Sequence, residues 1–144
     1  MWEAGELTYK NGSTEISAFV NTKETTQLQV VLCSKKSLDN YRFTLLLPQK
    51  VLSDSVIKVK VYTDDSEVEQ YAEVSGNSID FQVDESLLLA IPYSAKLQLE
   101  FNSEDAEYLG LPKILDVSMK GAELALKNVS SQCTALCLNN GFSC

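Results

Sequence analysis

Carboxylates are the side chains in this sequence whose density could support chemistry or binding. Residues 61–112 hold twelve acids and one base, Lys96, so this stretch carries −11 while the rest of the chain carries +3. Two short segments concentrate the charge, and a tyrosine accompanies each. The predicted partner-binding residues are Tyr62, Asp64, Asp65, Glu67 and Glu69 around the first segment, and Glu104, Asp105, Glu107 and Tyr108 around the second.

Four interpretations fit these acids. A like-charged cluster speeds association with an oppositely charged protein, and aromatic residues beside charge are typical of binding hot spots. The simplest alternative is a solvated acidic face that keeps the protein soluble. Asp64-Asp65-Ser66-Glu67 lacks the alternating ligands and the central Gly of an EF-hand loop, which disfavours Ca²⁺. A glycosidase needs two carboxylates held about 5–10 Å apart in a cleft, and no sequence pattern predicts that arrangement.

The composition excludes several other functions. The chain has no His, which removes Ser-His and Cys-His dyads and imidazole metal ligands. Its net charge of −8 disfavours nucleic acid and anionic lipid. Neither a Gly-rich phosphate loop nor a Gly-x-Ser-x-Gly motif is present in the sequence. We therefore predict a binding protein and not an enzyme, with no cofactor and no metal site.

The four cysteines indicate the compartment. They are Cys33, Cys133, Cys137 and Cys144, an even number whose spacing suits zinc poorly. Two disulfides imply an oxidising compartment, the periplasm or the cell exterior. We favour Cys33 with Cys133 and Cys137 with Cys144, because a Cys133–Cys137 bridge within one helical turn is near the limit of disulfide geometry.

We expect neither a targeting segment nor a membrane anchor in these 144 residues. No apolar run approaches the roughly 20 residues that span a bilayer, so we predict no membrane span. Met1 is followed at once by a strand pattern and not by a signal peptide. We expect a mature secreted chain whose signal was removed and replaced by a start Met.

The elements that must position these residues are mostly strands. Apolar and polar residues alternate over 2–9, 14–21, 27–34, 41–47, 56–62, 68–74, 78–83, 96–101 and 114–119. Asn11-Gly12 and Ser75-Gly76-Asn77 are hairpin signals. Asp84 is suited to cap a short helical turn before Pro92. We interpret both acidic segments as turns.

After Met119 the period changes to that of an amphipathic helix, about residues 121–137. Its apolar stripe contains Cys133 and Cys137, so a bridge from Cys33 would hold the helix on the sheet. No linker or repeat divides the chain, and we predict a single domain over 1–144. The predicted fold is all-β: an antiparallel β-sandwich of eight or nine strands with one C-terminal amphipathic helix, stapled by disulfides.

The ending from Ile114 to Leu126, with its run Ser118-Met119-Lys120-Gly121, resembles that of the invasion-associated locus B family of small periplasmic β-sandwich proteins. As a short, acidic, disulfide-bonded chain, the protein is also similar to periplasmic immunity proteins that block type VI secretion effectors, and to lysozyme inhibitors. These resemblances imply an inhibitor that binds and blocks a basic peptidoglycan hydrolase. The alternative is a non-enzymatic envelope or invasion-associated binding factor, with homodimerisation through an edge strand left open. A carboxylate-pair glycosidase comes last.

Overall fold

The computed structural model describes residues 1–8, 14–23, 26–34 and 42–139. The strands are β1 (Glu3–Thr8), β2 (Thr14–Asn21), β3 (Gln27–Ser34), β4 (Arg42–Leu46), β5 (Ser55–Tyr62), β6 (Glu67–Ser75), β7 (Ser78–Gln82), β8 (Leu97–Phe101) and β9 (Ile114–Val117). The helices are α1 (Glu85–Ala90), continued by a 3-10 turn at Ile91–Tyr93, α2 (Ser103–Leu109) and α3 (Ala122–Asn139). The predicted strands are confirmed, while the predicted Asn11-Gly12 turn lies outside the described residues.

The strands of the described ranges form one antiparallel sheet with the order β1-β2-β3-β4-β7-β6-β5-β8-β9. After β4 the chain crosses the β6–β7 turn, where the Leu47 and Val51 N–H groups donate to Asn77 O and Gly76 O, each at 2.7 Å. This crossing puts β7, and not β5, beside β4. The all-β antiparallel class with a C-terminal helix is confirmed, but the sheet is a curled half-barrel and not two stacked sheets.

The core fills the concave side of the curled sheet. Along β8, Leu97, Leu99 and Phe101 are buried while Gln98 and Glu100 face outward and are half-buried. The same alternation along the other strands gathers the inward apolar side chains into one cluster. A shift of one residue in the pairing of a strand would turn its inward apolar side chains toward solvent, so this alternation specifies the register of the sheet.

Helix α3 covers the part of the concave face formed by β1, β2 and β3. Its buried residues include Ala125, Leu126 and Val129, and Cys133 packs against the core, which confirms the predicted stripe. Cys133 is bonded to Cys33 of β3, the favoured pairing. Cys137 carries no free thiol, and its predicted pairing with Cys144 lies outside the described residues.

Trp2 joins the two edges of the sheet at one end. Its side chain is 3% exposed. The indole N–H donates to Ser118 O at 2.5 Å, and the Trp2 backbone N–H donates to Lys120 O at 2.9 Å. Ser118 and Lys120 follow β9, the edge strand opposite β1. These bonds therefore close one end of the half-barrel.

Candidate protein-binding surface

The first acidic segment surrounds the turn between β5 and β6. We call the hairpin cluster Tyr62, Asp64, Asp65, Glu67 and Glu69. The turn is closed by the Thr63 N–H, which donates to Ser66 O at 3.0 Å. Asp64 and Asp65 are exposed, and Asp64 accepts the Ala95 N–H at 2.7 Å, which joins the turn to the segment before β8.

Two lysines of β5 partly neutralise the hairpin cluster. Lys60 Nζ lies 3.5 Å from the Glu67 carboxylate, and Lys58 Nζ lies 3.5 Å from that of Glu69. Tyr71 and Glu69 raise the pKa of Lys58, so the ammonium stays charged. Both lysines precede residue 61 and were outside the stretch counted as −11. This part of the surface is therefore a row of exposed ion pairs, which water and salt screen.

Tyr62 is engaged by its own surface. Its hydroxyl donates to Glu100 at 2.5 Å and lies 3.5 Å from Glu67, and Lys96 Nζ lies 5.9 Å from the ring centroid. The hydrogen bond to Glu100, followed by desolvation and the charges of Glu100 and Glu67, raises the pKa of Tyr62 to about 12. A partner would have to disrupt these contacts in order to bury Tyr62.

The second acidic segment forms helix α2, so its interpretation as a turn is wrong. Asn102 caps the helix by accepting the Asp105 N–H at 2.8 Å, and Gly110 ends it at φ +70°. Ala106 and Leu109, three residues apart, face the core. The sequence carried this signal, because a polar N-cap, acids in the first turn and a terminal Gly are typical of a helix.

Helix α2 presents its acids without cations. We call the helix cluster Glu104, Asp105, Glu107 and Tyr108. Glu104 and Glu107 are exposed and Asp105 is half-buried. In the part of the chain that the structure describes, none of the three forms an ion pair. Tyr108 is 52% exposed. No described cation therefore pairs with the acids of the helix cluster, whereas two lysines pair with acids of the hairpin cluster.

The two clusters begin at opposite ends of β8. Tyr62 is opposite Gln98 at the start of β8, whereas Val59 is opposite Phe101 at its end, two residues before α2. The β5–β6 turn and α2 are thus separated by a strand of five residues, about 16 Å at roughly 3.3 Å per residue. Glu69 of the hairpin cluster lies nearer to α2, because it lines a pocket with Asn102 and Ser103. An interface of about 800 Å² per partner can contact both clusters.

The outer face of the sheet carries a shallow groove of about 460 Å³, which we call the β6–β7 groove. Its lining is Arg42, Tyr71, Glu73, Asp80, Phe81 and Gln82. Arg42 is held there by Glu15 at 2.7 Å and Asp80 at 3.6 Å. Within the described ranges, no group of three or more His, Cys, Asp or Glu side chains could hold a metal ion.

Comparison with protein-family models, curated proteins and solved structures finds no match for this chain. None of the helices in the described ranges is long and apolar enough to cross a membrane. The surface that bears the hairpin and helix clusters is therefore the feature that indicates a function.

Proposed function

We propose that this protein binds and blocks a basic partner protein, and that the partner is a peptidoglycan hydrolase, either a type VI secretion effector or a lysozyme-like enzyme. The observation that carries the proposal is the helix cluster, whose exposed acids form no ion pairs among the described residues. Such a surface accelerates encounter with a basic protein.

Binding then depends on Tyr108. Its ring is 52% exposed and projects from a helix that Ala106 and Leu109 hold on the core. A tyrosine on a rigid element loses little conformational entropy when a partner buries it. Tyr108 is therefore the side chain that we assign to the partner's cleft, while the acids of both clusters guide the approach.

An oxidising compartment supports the proposal. The Cys33–Cys133 disulfide is compatible with such a compartment, and peptidoglycan hydrolases act outside the cytoplasm. We propose the periplasm as the location.

The test is the lysis of purified peptidoglycan by a panel of basic muramidases and amidases, followed as turbidity with and without this protein. We expect inhibition of at least one enzyme, weakening as salt rises. Glu107→Lys changes the net charge from −8 to −6, and Glu6→Lys on β1 makes the same change on a strand that bears neither cluster. Only Glu107→Lys should slow association, by about tenfold at low salt.

Three outcomes would count against the proposal. Equal association rates for Glu107→Lys and Glu6→Lys would remove the helix cluster from the encounter. An unchanged inhibition constant for Tyr108→Ala would remove Tyr108 from the cleft. Capture of an envelope protein without inhibition of any hydrolase would favour the binding-factor alternative.

A further inference from the structure

The sheet opens between β6 and β7. These strands pair only over residues 73–75 and 78–80, next to the Gly76-Asn77 turn. β6 nevertheless runs back to Glu67 paired with β5, and β7 runs on to Gln82 paired with β4. The two strands therefore diverge beyond Glu73 and Asp80, and the β6–β7 groove lies at the divergence.

Burial along β6 follows the same divergence. Near the turn, the inward-facing Ala72 and Val74 are buried. Val68 and Gln70 face inward by the same alternation, yet they are only half-buried. The strand is thus well covered where β7 accompanies it and partly uncovered where β7 has left.

The hydrogen-bond pattern identifies the backbone groups that face the opening. In a two-residue hairpin the residues that flank the turn, here Ser75 and Ser78, form a hydrogen-bonded pair. From Ser75 backward along β6, the backbone N–H and C=O groups of every second residue therefore point toward the β7 side. On β6 these residues are Glu73, Tyr71, Glu69 and Glu67. Only Glu73 has a partner on β7, and within the described residues no backbone bond joins the other three to another strand on that side. Among the described residues, three N–H and three C=O groups of β6 therefore form an open edge inside the sheet.

We propose that this open edge of β6 takes an extended, basic segment of the partner as an added β-strand. The inference rests on the proposed function, because it assumes a basic partner, and it names the structure that the partner must present. An added strand pairs with the open main-chain groups while its alternate side chains confer specificity. Directly opposite residues point to the same face, so every second residue of the segment lies beside Glu67, Glu69 and Tyr71. Lys or Arg at those positions meets the two carboxylates.

The residues of the edge argue against a second copy of this chain as the occupant. Charged side chains on an edge strand oppose pairing with a copy of the same edge, and residues 67–71 carry Glu67 and Glu69. Two copies of this edge would place Glu67 and Glu69 beside the same acids, and like charges directly opposite are destabilising. A basic segment has the opposite effect. The pairs with Lys58 and Lys60 are exposed and 3.5 Å long, and they cost little to rearrange.

The probe is a short blocked peptide that alternates lysine and valine, added to the full chain at low salt. In the proposed antiparallel register the lysine N–H groups bond to β6 and the valine N–H groups point away. Methylating the backbone nitrogen of two lysines should therefore weaken binding about tenfold, the loss of one or two hydrogen bonds. The matched peptide with two methylated valines should bind as the parent does. Amide hydrogen exchange should slow at Glu67, Glu69 and Tyr71 when the parent peptide is added.

Equal affinity of the two methylated peptides would overturn strand addition, as would unchanged exchange at those three amides or no binding of the parent peptide.

The variant Glu69→Pro tests the added strand from the side of the protein, because proline removes the backbone N–H of position 69, which does not bond to β5. Glu69→Gln is the control for the lost charge. A hydrolase inhibited equally by wild type and Glu69→Pro would overturn the added strand and leave the proposed function standing. Slower amide exchange of β6 in the presence of the peptide, without inhibition of any hydrolase, would overturn the proposed function and leave the added strand standing.

Discussion

The Cys33–Cys133 disulfide should hold the C-terminal half of α3 on the sheet, and the double variant Cys33→Ala/Cys133→Ala should release it. The first half of α3 packs on the core through four buried residues between positions 122 and 129. From position 130 to 139 Cys137 is the one buried residue, while Cys133 and Leu136 pack partly buried against the core. The disulfide therefore adds a covalent attachment to a half that few apolar contacts hold on the sheet.

The size of the effect follows from the loop that the bond closes. Cys33 and Cys133 are separated by 100 positions, and the chain-entropy model gives about 4.7 kcal/mol for such a loop. Cys33 is fully buried, so truncation to Ala adds a small cavity cost of about 1 kcal/mol. Disulfides often deliver less than this model predicts, so we expect a total loss of about 3–5 kcal/mol. Typical domains have only about 5–15 kcal/mol of stability.

Urea unfolding monitored by circular dichroism measures the loss, and hydrogen exchange over residues 130–139 measures the release of the helix. Reductant is a less specific perturbation, because Cys137 is also disulfide-bonded. Ser131→Ala/Gln132→Ala changes two exposed residues of the same helix and should stay within about 0.5 kcal/mol of wild type. A loss below about 1 kcal/mol in the double Cys variant, or unchanged exchange over 130–139, would refute the reasoning.

Two further predictions concern single contacts. Tyr62 should titrate at about 12, and Glu100→Ala, which removes the acceptor of its hydroxyl and so the largest cause of the shift, should bring its pKa back toward 10.0. Because folding raises this pKa, the stabilising contribution is full below pH 10.0 and is lost as pH rises toward about 12. Phenolate absorbance checks this, and an unchanged titration in Glu100→Ala would contradict it. Trp2→Phe should cost about 2 kcal/mol, because it removes the bond to Ser118 O and part of a buried ring. Thermal unfolding compares it with Tyr93→Phe at a 74% exposed position, and equal midpoints would show that Trp2 does not close the sheet.

Local signals predicted most of the elements, because each depends on residues a few positions apart. The Ser75-Gly76-Asn77 signal is the β6–β7 turn. Asp84 caps α1 by accepting the Leu87 N–H at 2.8 Å. Helix α2 is the exception, although its caps are equally local. Its seven residues are too few for a 3.6-residue period to repeat clearly, and a dense run of acids is also typical of a turn.

The ion pairs of the candidate site could not be predicted from the order of charges in the sequence. Counting charges over 61–112 leaves out Lys58 and Lys60, which the β5–β6 register brings to Glu69 and Glu67. The same count does not show that the β5–β6 turn and α2 lie at opposite ends of β8 while Glu69 shares a pocket with the start of α2. Ion pairs and cluster spacing depend on which strands are neighbours and in what register, and a charge count contains neither.

The sequence by itself determined the strand-rich class, the C-terminal helix, the acidity and the favoured Cys33–Cys133 pairing, because composition and short-range periodicity encode them. Only the tertiary structure decided that the strands form one curled sheet with β7 between β4 and β6. It alone decided that β7 leaves β6 beyond Glu73, so that part of β6 has no neighbouring strand on that side within the described ranges. Alternation specifies which side of a strand is buried, whereas the choice of neighbouring strand depends on contacts between residues far apart in the chain.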